Sequence, residues 1–170
     1  MVRRIRDERG ASAVEFAIIA SLLFMILFGT IQFGIIFNRY QGLQASGREG
    51  ARFGSLDATT ADEILARVKN SVSIVAADNV TLCGSGAWGS TPSLSLDNGC
   101  VRVWRRPGPS VTTPTQHTAT GTPGPCEASQ IDSGGKSVIV EVFLRTKLDI
   151  VLWASPEMTI KGVGEFRCEG

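Results

Sequence analysis

Hydrophobic and polar positions divide this chain unevenly. Residues Phe16 to Phe37 form an uncharged run of 22. As a helix rising about 1.5 Å per residue it covers about 33 Å, enough to cross the hydrocarbon core of a bilayer. A run of 7–15 residues ending in small side chains would read as a secretory signal, but this one ends in Phe37-Asn38-Arg39-Tyr40. The expectation is therefore a retained transmembrane helix. Arg3, Arg4, Arg6 and Arg9 gather before it, and the excess of positive charge places the N-terminus inside and the C-terminal domain outside.

Beyond the run the pattern changes period. Thr60-Ala61-Asp62-Glu63 has the form of a capping box, and Ile64, Val68, Val72 and Val75 follow on one face, predicting an amphipathic helix from Thr60 to Ala77. Short strands are predicted at Val80–Cys83 and at Val101–Arg105, the second after an Asp97-Asn98-Gly99 turn signal. Val138, Val140, Val142 and Leu144 alternate along Ser137–Lys147, and Met158–Glu169 is the expected partner strand. Leu148–Trp153, between them, reads as an apolar crossover or lip, with Trp153 either core or contact surface and core preferred. The fold class expected is α+β: a long N-terminal transmembrane helix continuing outside the membrane, a second helix, and a small antiparallel sheet.

Composition refines this division. The 170 residues suffice for an anchor and one domain, and a net charge of +1 with no aromatic-studded basic patch argues against nucleic acid as a partner. Residues 107–125 hold five of the seven prolines and six threonines and predict a flexible surface loop, with His117 solvated inside it. All four cysteines, Cys83, Cys100, Cys126 and Cys168, follow the apolar run without zinc-type spacing, which points to an oxidising compartment and two disulfides. Three pairings are open. Cys83–Cys100 with Cys126–Cys168 is preferred, because the first staples neighbouring strands and the second ties the loop's end to the last strand.

Catalytic chemistry finds no foothold. No carboxylate pair, metal-ligand cluster, nucleophile elbow or phosphate-cradling loop is present in the sequence, so neither an enzyme, a cofactor, a metal nor a small-molecule substrate is expected.

The edges of the apolar run carry more information. Glu15 sits at its head, where a carboxylate in a membrane helix asks for a partner, either cytoplasmic headgroups or Arg9. Ala13, Ala17 and Ser21 recur at intervals of four and would let a second helix approach. Past the membrane, Gly47, Gly50 and Gly54 would be costly in a helix unless something lay close against them, and the chain's own domain is the expected neighbour.

Gly10-Ala11-Ser12-Ala13-Val14-Glu15-Phe16 is similar to the processing site of type IV prepilins and pseudopilins. With Gly29-Thr30-Ile31-Gln32-Phe33-Gly34, and with Arg48-Glu49-Gly50-Ala51-Arg52 after the anchor, the first 54 residues resemble the TadE-like family of the tight-adherence (type IVc) pilus system. The resemblance implies a pilin-like fold and a basic leader, residues 1–10, that a prepilin peptidase would remove between Gly10 and Ala11. It also implies that Glu15, beside Phe16, pairs with the freed amino group of a neighbouring subunit. Some family members keep their leader, so an intact N-terminus stays open. Residues 11–54 would then be the assembly helix and 55–170 the extracytoplasmic domain. The function implied is that of a minor pseudopilin in pilus biogenesis and adhesion, with other pilins, the assembly platform and the bilayer as partners. The alternative is a membrane-anchored binding or sensing module that is not assembled into a pilus.

Overall fold

The computed structural model describes residues 5–56, 59–72, 77–106, 108, 113–117, 125–126, 136–148 and 155–169. The sequence readings made for Met1 to Arg4, Val75, most of the proline-rich segment and Ile150 to Trp153 lie outside these residues.

One helix, α1, runs unbroken from Ile5 to Gly54. The first proline of the chain is Pro92, so no residue before it removes a helical N–H. Residues 10–41 are almost all exposed, and burial begins at Leu43. From there the helix turns its small residues to the domain. Helix α2, Ala61–Ser71, starts at the predicted capping box: the Thr60 hydroxyl accepts from the Glu63 N–H, and the Glu63 carboxylate accepts from the Thr60 N–H at 2.8 Å. These bonds hold the Glu63 carboxyl below its usual range. The helix ends earlier than Ala77, because Val72 turns extended and closes it with an N–H bond to Val68 O. A 3₁₀ turn follows at Ala77–Asn79.

Five strands form one sheet: β1 (Val80–Leu82), β2 (Gly99–Arg106), β3 (Thr115–His117), β4 (Ser137–Lys147) and β5 (Glu157–Arg167). Strands β1, β2, β4 and β5 lie side by side in that order, and β3 adds to β2 on the side of β1. The sheet is mixed rather than antiparallel throughout, since β1 runs parallel to β2 while the other pairings are antiparallel. The chain between them crosses over one sheet face, which a tight hairpin could not do. A second departure is β3, which occupies part of the segment expected to be loop. Thr115, Gln116 and His117 follow Pro114 and carry the N–H groups that the prolines around them lack.

The inner face of the sheet carries Val101, Val103, Val138, Val140, Val142 and Leu144, all buried against Leu43, Ala51, Ile64 and Val68 of the two helices. Both disulfides have the preferred pairing. Cys83–Cys100 joins the end of β1 to β2 with the Cα atoms 5.0 Å apart, and Cys126–Cys168 ties Cys126 to the residue after β5 at 5.5 Å. Crosslinks closing loops of this size stabilise a small domain by about 3 kcal/mol each.

Candidate functional site: the exposed helix and its seat

The projecting part of α1 has no apolar partner within the chain. Phe16, Ile19, Leu22, Leu23 and Phe33 are each more than 60% exposed, a surface far too apolar to stand in water. Such a helix fits a single-pass membrane anchor. Ala13, Ala17 and Ser21 are exposed along it, and the Ser21 hydroxyl donates to Ile18 O at 2.8 Å, folding its polarity back onto the helix. Thr30 does the same to Leu27 O. Gly29 and Gly34 leave an open groove, bordered by Ile26, Phe33 and Phe37. Toward its start Gly10, Ala11, Glu15 and Phe16 are exposed, and no hydrogen bond or ion pair engages Glu15 among the described residues.

The seat holds the other end. A side chain at Gly50 would collide with Val68 at 2.5 Å, and one at Gly54 with Ile64 at 2.8 Å, so these two glycines bring α2 onto α1. A Cβ at Gly47 would sit 3.1 Å from the backbone of Gly164. The strand reciprocates: a Cβ on Gly162 would fall 2.2 Å from Leu43 O, and one on Gly164 2.2 Å from Gly47 O. Two backbones thus touch directly, a packing possible only with glycine on the strand. Gln44 closes the seam by accepting from the Val163 N–H at 3.2 Å, and Arg39 donates to the Thr146 hydroxyl.

Gly162, Gly164, Gln44 and Arg39 were not among the residues singled out from sequence. The signal was available in Gly162-Val163-Gly164, two glycines on one face of a strand, which mark a close approach by another backbone. The outer sheet face hides a second group. Glu141, fully buried, accepts from Trp104 Nε1 at 2.7 Å and from Lys161 Nζ at 3.0 Å, while the buried Arg102 guanidinium lies over Trp104 and Phe143 and donates to Ser90 O. The Arg102 bond to Ser90 O holds the 83–98 crossover on the sheet, while the Glu141 bonds join β4 to β2 and β5. No group of histidine, cysteine and carboxylate side chains able to hold a metal occurs among the described residues.

His117 is half-buried in β3 rather than solvated, and its Nε2 has no hydrogen-bond partner among the described residues. Burial, reinforced by the charge of Arg105, lowers its pKa from the usual 6.5.

Residues 10–52 match the model of a family described as TadE-like protein. Over this stretch the chain is similar to that family. The match begins at Gly10 and ends within the glycine seat, so it spans the exposed helix and the part of α1 that docks on the domain. No curated protein and no solved structure matches the chain.

Proposed function

We propose that this chain is a structural subunit, a TadE-like minor pseudopilin, held in the bacterial cytoplasmic membrane with its N-terminus inside and used in the biogenesis of a tight-adherence pilus and in adhesion. The observation that carries this reading is the coincidence of the TadE-like segment with a helix whose apolar half projects free of the domain. An anchor serving only as a tether needs length and hydropathy. This helix in addition exposes Gly10 and Ala11, between which a leader would be cut, a carboxylate at Glu15 and small residues at Ala13, Ala17 and Ser21. In the assembled state Glu15 would meet the amino group of Ala11 on a neighbouring subunit, and charge pairing would offset the cost of placing it in the membrane. Prepilin peptidase, other pilins and the assembly platform are the partners that the reading requires.

The decisive measurement is the intact mass, with N-terminal sequencing, of the protein extracted from membranes of cells with an active prepilin peptidase. A mature chain beginning at Ala11 is expected. A chain still beginning at Met1 would overturn processing and favour an anchored module that stays in the membrane.

A further inference from the structure

Where α1 runs along the domain, one of its faces is filled and the other is bare. Leu43, Ser46, Gly47, Gly50, Ala51 and Gly54 are buried, whereas Gln41, Ala45, Arg48, Arg52 and Leu56 are exposed. The bare face does not stop at the membrane. Thr30, Gly34 and Phe37 fall in line with it and are exposed as well. Their spacing repeats as Gln41, Ala45 and Arg48, and Arg52 and Leu56 begin a third round. An 11-residue repeat averages about 3.67 residues per turn, close enough to the 3.6 of a straight helix that the stripe keeps to one side of α1.

The stripe changes chemistry along its length. In the membrane part a Cβ on Gly29 or Gly34 meets nothing within 4 Å, and with Ile26, Thr30, Phe33 and Phe37 these glycines form an open groove. Such a groove admits another helix at close range. Outside, the stripe presents two arginines one turn apart, and no hydrogen bond or ion pair engages Arg48 or Arg52 among the described residues. Glu49, beside Arg48 in the chain, is held by Arg67 at 2.5 Å. Like charges at i and i+4 repel each other on a helix, so the pair asks for acidic partners. Lipid does not supply them. Arg48 and Arg52 stand about 16 Å and 22 Å along the helix past Phe37, while the headgroup layer is about 5–8 Å thick.

Whatever covers the stripe must meet the groove in the bilayer and the arginines outside it. A helix can cross the hydrocarbon beside α1 and continue past it as one element. A second copy is the wrong helix. Two copies in one bilayer that meet stripe to stripe are related by a two-fold axis, which sets Arg48 against Arg48 and Arg52 against Arg52, and like charges reject that pairing. A copy cannot offer the opposite face of the same stretch either, because its own domain occupies it. We propose that the stripe from Thr30 to Arg52 is the docking surface for a different membrane-spanning chain, whose helix continues outside the bilayer and carries acidic side chains three to four turns past its span. The groove gives close approach, and the two arginines select the partner and exclude a second copy.

This docking rests on the reading of the chain as an assembling membrane subunit, and the test separates the two. The full chain, with a donor dye on Ala66→Cys of exposed α2, is reconstituted in vesicles with a designed single-pass helix that carries an acceptor. The designed helix has a leucine-rich span and, about 16 Å and 22 Å past it on the domain side, two glutamates in one version and two lysines in the other. Energy transfer several-fold higher to the glutamate version is expected, and Arg48→Glu/Arg52→Glu should reverse the preference. Equal transfer to both versions would overturn the docking. Transfer between two labelled copies of the chain as strong as that to the glutamate helix would overturn it too. Gly34→Leu fills the groove and should lower transfer to the glutamate helix several-fold; an unchanged value would remove the groove from the surface and sink the proposal as stated. A dye on Phe24→Cys, quenched by nitroxide on the lipid acyl chains, reports the anchor independently. Quenching there without a glutamate preference would strike the docking alone, and no quenching would strike both.

Discussion

Gly162 and Gly164 carry the tightest geometry in the molecule. Each faces a helix carbonyl that belongs to the backbone, so an added methyl cannot be absorbed by a rotamer change. Gly164→Ala must push α1 off β5 or bend the strand, a cost typical of overpacking, about 1–3 kcal/mol. Gly84→Ala is the matched control, because a Cβ there meets nothing, and it should stay within about 0.5 kcal/mol of wild type. Urea unfolding of the two variants in detergent measures both. Equal midpoints would mean that the helix–strand seam does not depend on backbone contact. At this scale the sequence was half legible. Gly47, Gly50 and Gly54 stood out as three glycines repeating at helical spacing, whereas Gly162 and Gly164 meet a partner more than a hundred residues away in the chain. Gln44 and Arg39 gave no local signal, since their roles depend on which strand residues arrive beside them.

Among the elements, those read most closely are the ones whose signal is local. The capping box opens α2 at the predicted residue, and the alternation in Ser137–Lys147 gives the bounds of β4. Features set by distant residues were missed: the parallel β1–β2 pairing, and β3 inside a segment whose prolines argue for loop. Strand β3 makes its own prediction. Its His117 is held neutral by burial and by Arg105, so the unfolded chain takes up the proton at higher pH than the folded one. The stability from this group is complete above pH about 6.5 and is lost as pH falls from there through the lowered folded value. Urea midpoints measured from pH 8 to pH 5 should therefore decline, and His117→Gln should flatten the decline. A decline of the same slope in the variant would assign it to other groups.

On the scale of the whole molecule α1 does two jobs, and they divide close to Arg39. Residues before it are exposed and apolar; residues after it contribute Leu43 and Ala51 to the core and the glycines that seat α2 and β5. The hydrophobic run announces the first job so strongly that the second is visible only through its glycines. A chain beginning at Arg39 keeps every buried contact of the helix and sheds the surface that demands a bilayer, so it should be soluble, monomeric and unfold in one cooperative thermal transition. A chain beginning at Ser55 loses Leu43 and Ala51 and bares Val140, Val142, Ile64 and Val68, and no gain elsewhere offsets that exposure. It should bind a hydrophobic dye strongly and melt without a sharp transition. Size-exclusion chromatography with calorimetry on the two truncations makes the comparison. If the Ser55 chain melts as sharply as the Arg39 chain, the end of α1 is a stalk laid against a finished domain. If only the Arg39 chain folds, the helix that the membrane segment extends is itself part of the core, and a force or tilt applied to the anchor reaches the sheet through Gly47 and Gly164.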